Sequence, residues 1–181
     1  MHHDHSQPHA AGKANDLHEG MLPVDIAPVD ITFVRPGARE LYAQGQDDFL
    51  APATSQSAGM DLRACLDAPE ALIPAGGRLK VGTGVSVQPR AAGIAGFVYS
   101  RSGLGARDGI TVAQGVGVID PDYTGEILVF LLNTSGQERR VHNGERVAQL
   151  IFQSFVRPRW REVTELSATE RGSGGFGHTG R

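Results

Sequence analysis

The stretch Gly117-Val118-Ile119-Asp120-Pro121-Asp122-Tyr123-Thr124-Gly125-Glu126-Ile127 decides how the rest of the chain is read. Two apolar residues lead into Asp120, a turn-forming Pro121-Asp122 follows, and the chain leaves as Ile127-Leu128-Val129-Phe130-Leu131-Leu132. Two strand-like runs closed by turn residues predict a β-hairpin. Its bend carries a carboxylate, and an aromatic ring follows three residues later. Taken alone, this is an Asp-Pro turn on a surface loop. The segments on either side give it more meaning.

Upstream, Ile110–Val118 reads as a strand entering the hairpin, and Ile94–Tyr99 as another, ending in Ser100-Arg101-Ser102-Gly103-Leu104-Gly105. Arg, Ser and Gly together suit an anion. Arg offers a fork of donors, Ser a hydroxyl, and Gly a backbone that a phosphate can approach. Without a ligand the same residues make an ordinary turn with an exposed Arg. No GxxxxGK[ST] phosphate loop occurs in the chain. Further upstream, Leu79, Val81, Thr83, Val85 and Val87 alternate on one face of a predicted strand. Gly82 and Gly84 leave the other face bare, which suggests close packing against another chain. Ser57–Cys65 enters a strand through Gly59, with Asp61 near its start. Asp30–Val34 and Val24–Ile26 alternate as half-buried strands do, and Ala38–Tyr42 suits a short helical turn.

Downstream, Asn143-Gly144 is a tight-turn signal. Val147–Phe155 is an apolar strand in which Gln149 is the odd residue, either a satisfied polar group or one that faces a ligand. About ten short β segments with regular turn signals, and no amphipathic helix, predict an all-β fold: a sandwich, jelly roll or barrel.

Composition limits the function. The 181 residues suffice for one domain with a real core, and the net charge of -3 without a basic block argues against a nucleic-acid polymer as partner. Cys65 is the only cysteine, so no disulfide framework or Cys-based zinc site is available. No apolar run approaches a membrane span, and no basic-then-apolar leader is present, so the expected location is the cytoplasm. Residues 1–23 hold His2, His3, His5, His9 and His18 without helical or strand spacing, and read as a disordered extension rather than a metal site. Residues 24–167 read as the β domain. Residues 168–181 read as a Gly-rich tail with Arg171, Phe176 and His178, a composition suited to ordering over a ligand.

Five segments, in order, resemble the homotrimeric deoxyuridine triphosphatases (dUTPases). They are Ala58-Gly59-Met60-Asp61-Leu62-Arg63-Ala64, Arg101-Ser102-Gly103-Leu104-Gly105, Gly117–Glu126, Gly144-Glu145-Arg146-Val147-Ala148-Gln149-Leu150 and Arg171-Gly172-Ser173-Gly174-Gly175-Phe176-Gly177. Each is weak alone, whereas all five in order at ordinary spacing are specific. The resemblance covers residues 24–181. Ser100 stands where the family usually has Pro, which is expected to loosen that turn. Gln114 replaces a frequent Asn, and Met60 a common Tyr or Val.

The resemblance implies a jelly roll assembled as a homotrimer with shared active sites. It implies hydrolysis of dUTP to dUMP and pyrophosphate with Mg2+ on the triphosphate, which lowers dUTP and supplies dUMP for dTMP synthesis. Asp120 would be the general base. Arg101, Ser102, the Gly103 amide and Gln149 would hold phosphates, and Tyr123 would pack on the deoxyribose. Groups around Gln114, Val118, Ile119 and Leu128 would read uracil. Phe176 would stack on the base while Arg171 and Gly177 cover the phosphates. No protein residue is expected to hold the metal directly, with Asp61 anchoring an arginine or metal-bound water. The related dCTP deaminases carry a catalytic Glu on the return strand, where this chain has Phe130.

Overall fold

The computed structural model describes residues 27–43, 50, 52, 54 and 56–175. The His-rich start, the Val24–Ile26 segment, Phe176, Gly177 and His178 lie outside the described residues.

Among the described residues, eleven strands carry the fold: β1 (Val29–Phe33), β2 (Met60–Arg63), β3 (Glu70–Ile73), β4 (Arg78–Gly82), β5 (Val85–Pro89), β6 (Ile94–Tyr99), β7 (Ile110–Val112), β8 (Gly117–Ile119), β9 (Leu128–Asn133), β10 (Arg139–His142) and β11 (Arg146–Ser154). A short helix, α1 (Ala38–Tyr42), matches the expected helical turn. All strand pairs are antiparallel. The largest sheet runs β2-β11-β6-β8, and a second runs β4-β9-β7. Two-stranded ladders β1-β5 and β10-β3 complete the body.

The core follows from strand alternation. In β9, Val129, Leu131 and Asn133 point inward while Leu128 and Phe130 are exposed. Leu62, Ile73, Val81, Val85, Ile127, Leu131, Val141, Val147 and Leu150 are fully or almost fully buried. Removing such side chains from water is the main favourable term, at about 25 cal/mol per Å2 of apolar surface. Asn133 is the polar member. Its Nδ2 donates to the carbonyls of Ile73, Pro74 and Gln137, which joins the end of β9 to the β3–β4 connection.

Three local expectations are corrected. Leu79–Val87 is not one strand: β4 pairs with β9 and β5 with β1, and the break falls at Thr83-Gly84. Gly84 has φ +72°, and a Cβ there would lie 2.5 Å from the Ala38 Cβ. A Cβ at Gly82 would lie 2.6 Å from the Arg35 guanidinium and from Glu126. The bare face is therefore filled from within the chain. Ile110–Val118 is likewise two strands, separated by a turn in which the Gly115 N–H bonds the Val112 carbonyl. Finally, Arg101-Ser102-Gly103 opens a six-residue π-helical turn, Gly103–Asp108, that buries Leu104 and ends at Gly109 with φ +71°.

Candidate functional site

The Asp120 hairpin is built differently from the sequence expectation. Pro121 at the second position of a turn and a 3.0 Å bond from the Tyr123 N–H to the Asp120 carbonyl close the bend as predicted. The arms, however, do not pair with each other along Gly117–Ile119 and Leu128–Val129. After the Ala113 N–H bonds the Phe130 carbonyl, β8 departs to pair with β6, while β9 stays with β4 and β7. The turn at Gly115, φ +82°, redirects the chain from one sheet to the other. The two arms thus belong to different sheets, and the side chains of Val118 and Leu128 on them are exposed. Ile119 is buried. The Gln114 Nε2 is folded over Gly117, where a Cβ would lie 3.3 Å away. Asp120 and Tyr123 are exposed at the tip.

Tyr123 is seated by its own loop. Its hydroxyl donates to the Glu126 carbonyl at 2.9 Å, and a Cβ at Gly125 would lie 2.5 Å from the phenol oxygen. The Ser86 hydroxyl donates to the Thr124 carbonyl at 2.8 Å, which fastens the same loop to β5.

A second cluster forms at the other end of the large sheet. Asp61 on β2 lies in register with Gln149 on β11, and Gln149 with Tyr99 on β6. Arg101, just past β6, donates from Nε to Asp61 Oδ1 at 2.7 Å, and Arg146 Nη1 donates to Asp61 Oδ2 at 3.1 Å. The Arg101 Nη1 also reaches the Arg146 carbonyl at 3.3 Å. One carboxylate thus orients two guanidiniums and leaves the cluster with excess positive charge. Gln149 Nε2 donates to the Ser100 carbonyl at 3.0 Å, so its amide holds the strand end that carries Arg101, with a second N–H to spare. Its side chain crosses Gly59, where any Cβ would collide with it. Ser102 and Gly103 are exposed beside this cluster.

Ser100 does not loosen the turn. Its hydroxyl accepts the Val112 N–H at 2.8 Å and ties the end of β6 to β7, a bond that proline cannot make. Arg146, within the fourth motif, has a role that sequence reasoning missed. Nothing local in the sequence marks its bond to Asp61, which lies 85 residues away.

The two clusters do not meet within one chain. Extending the β6–β8 register sets Asp120 opposite Ala95, whereas Asp61 aligns with Tyr99. Four residues along the strands and three inter-strand steps place their backbones roughly 19 Å apart. Arg171 belongs to neither cluster. It lies in the exposed 156–173 segment, its Nε donating to the Gly174 carbonyl at 2.9 Å within a local turn.

No group of three or more His, Cys, Asp or Glu side chains among the described residues is placed to hold a metal ion. No described helix is long and apolar enough to cross a membrane.

A family model described as dUTPase matches residues 46–180. The deoxyuridine 5'-triphosphate nucleotidohydrolase of Desulfotalea psychrophila is 46% identical over 134 residues, covering 70% of this chain and 83% of the relative. A point mutant of the Staphylococcus bacteriophage 80alpha dUTPase, solved with dUpNHpp, superposes with TM-score 0.69 at 21% identity, covering 85% of this chain and 99% of the other. A mutant dUTPase of phage phi11 of S. aureus, described with a structural Mg(II) ion, gives TM-score 0.64 at 17% identity over 78% and 99%. The expected all-β jelly roll agrees with both likenesses. The family model spans most of the chain and the curated relative shares nearly half its residues over that span, so this chain belongs to the dUTPase family, enzymes that hydrolyse dUTP.

Proposed function

We propose that this dUTP diphosphatase acts through sites assembled between copies of the chain, with the Asp120 hairpin of one copy facing the Asp61–Arg101–Gln149 cluster of another. The observation that carries this reading is the separation of the two clusters at opposite ends of one sheet. Each is half a site. The hairpin offers a carboxylate, a ring and backbone polar groups. The second cluster offers fixed cations. A homotrimer supplies such half-sites in a closed ring. Apolar side chains left bare on a single copy support such an assembly: Val118 is 58% exposed and Trp160 88%.

In this arrangement Asp120 takes a proton from a water molecule. The water oxygen bonds to the α-phosphorus, the bond to the bridging oxygen breaks, and pyrophosphate leaves with that electron pair. dUMP remains, available to a reaction that methylates the uracil ring. Arg101 and Ser102, the Gly103 amide and Gln149 hold the phosphate oxygens. The Arg101 and Gln149 side chains are fixed beforehand by Asp61 and the Ser100 carbonyl, so little reorganisation is needed as charge moves to the leaving group. Tyr123 stands against the deoxyribose and leaves no room for a 2'-hydroxyl. The groups around Gln114, Val118, Ile119 and Leu128 take uracil. Cytosine presents the opposite donor–acceptor pattern and would leave buried groups unpaired, at about 1–3 kcal/mol each. The tail from 168 onward, with Arg171, Phe176 and Gly177, closes over base and phosphates.

The donor set fits a metal carried by the substrate. Asp61, with both oxygens engaged by arginines, would meet Mg2+ only through water, and the triphosphate itself supplies hard oxygen ligands. Bound there, Mg2+ would neutralise phosphate charge. The structural Mg(II) named for the phi11 relative is compatible with a magnesium requirement. The proposed location is the cytoplasm.

Product analysis with Mg2+ tests this reading. Pyrophosphate and dUMP are expected from dUTP, with little from dCTP or UTP. Ammonia released from dCTP, or equal turnover of UTP, would contradict it.

A further inference from the structure

Glu126 closes the hairpin motif, yet the proposed chemistry gives its side chain no task. The structure gives it two partners. Its Oε1 accepts the Arg35 Nε–H at 2.6 Å and the Gly84 N–H at 2.8 Å. The pair is sheltered, with the Glu126 side chain 18% exposed and that of Arg35 30%. The Glu126 hydrogen bond holds the Arg35 guanidinium above its ordinary pKa. Arg35 Nη1 also approaches the Cys65 carbonyl at 3.5 Å and the fully exposed Asp67 at 3.8 Å.

The position of this ion pair matters. Gly84 lies at the break between β4 and β5, a rigid point whose carbonyl also accepts the Val34 N–H at 2.8 Å. Thr83, next to it, donates from both N and Oγ1 to the Ile127 carbonyl. The Glu126 side chain therefore ties the loop to the core one residue before Ile127, while the Glu126 backbone carbonyl receives the Tyr123 hydroxyl at 2.9 Å. A displacement of Glu126 moves the acceptor that aims the Tyr123 ring. The ring lies against Gly125, where any Cβ would collide with it.

We propose that the Arg35–Glu126 ion pair is a positioning element for sugar discrimination: it holds the Tyr123 loop so that the ring excludes a 2'-hydroxyl. This rests on the dUTP reading above. Glu126 and Arg35 touch no substrate; they act through Tyr123. A carboxylate suits the role because it accepts from Gly84 and pairs with Arg35 through one oxygen, and charge-assisted bonds are about twice as strong as neutral ones.

The test compares kcat/KM for dUTP and UTP, with Mg2+, in the full-length wild type and in E126A, E126Q and R35M. A merely structural residue would lower the melting temperature and leave the dUTP-to-UTP ratio alone. In E126A the ratio is expected to fall at least about tenfold, chiefly through KM, with kcat for dUTP within about threefold of wild type. E126Q keeps an acceptor for Gly84 and should restore most of the ratio. R35M should fall between the two, and it stands in if E126A does not fold. Combining E126A with Y123F should lower the ratio by less than the product of the single effects, since both break the same link. A wild-type ratio in E126A or in R35M overturns the proposal, whatever their melting temperatures. A wild-type enzyme that makes no dUMP overturns the dUTP reading first, and this inference with it.

Discussion

Asp61 and Arg101 form a 2.7 Å ion pair although 40 residues separate them, and neither side chain is more than about a quarter exposed. Asp61 is fixed by its place on β2 and Arg101 by the end of β6, so the pair sets the direction of the guanidinium.

Removing that carboxylate should leave two arginines without a common anchor. Asp61→Ala is expected to lower kcat/KM for dUTP at least about tenfold, the scale of one bond to a charged group. Asp61→Asn, which keeps an oxygen for one guanidinium, should lose less. Steady-state kinetics beside a melting curve decide this. Unchanged kinetics in Asp61→Ala would remove Asp61 from the site.

The chain beyond Glu170 should matter to turnover and not to folding. Residues 156–173 form no strand or helix and lie exposed on the single chain. Deletion of 171–181 is expected to leave a folded assembly of unchanged size with little dUTPase activity. Size-exclusion chromatography and a turnover assay on the same sample suffice. Kinetics equal to the full chain would refute a closing tail.

Tyr42 makes alkaline stability a local question. Burial, the largest cause, pushes its phenol up to about 12, while its oxygen accepts the Arg63 N–H and its proton goes to the Thr83 carbonyl. An unfolded tyrosine titrates near 10. The folded form therefore keeps its proton where the unfolded form loses it. This contribution is complete below about pH 10 and fades between about pH 10 and 12, on the order of 2–3 kcal/mol in all. Tyr42→Phe should be less stable at pH 8 and should show a shallower loss above pH 10 than wild type. Parallel denaturation curves across that range would refute the assignment.

Much of the fold was legible because alternation reports which face of a strand is buried. Ile94–Tyr99 is the predicted strand, and Val147–Phe155 differs from β11 by one residue at each end. Alternation does not report which strand lies alongside. Leu79–Val87 keeps its period across the Thr83-Gly84 break, so the change of partner from β9 to β1 left no mark. The same blindness hid the passage of β8 to β6. The residues of the candidate site stood out as chemical types in ordered motifs. Their supports did not, because each joins distant segments: Arg146 to Asp61, Ser100 to Val112, Arg35 to Glu126. The separation of the two clusters was also invisible, since it depends on the register of four strands.

The most direct measurement is activity in mixed assemblies. D120N alone is expected to bind dUTP but to turn over at least about a hundredfold more slowly, and R101A to be similarly impaired. Co-expressed in equal amounts, the two inactive chains should recover about a quarter of wild-type activity, because sites joining an intact Asp120 from one copy to an intact Arg101 from another reappear at that frequency in a shared-site ring. No recovery in mixed assemblies of proven composition would mean that Asp120 and Arg101 serve the same site from the same chain, and would contradict the shared-site reading.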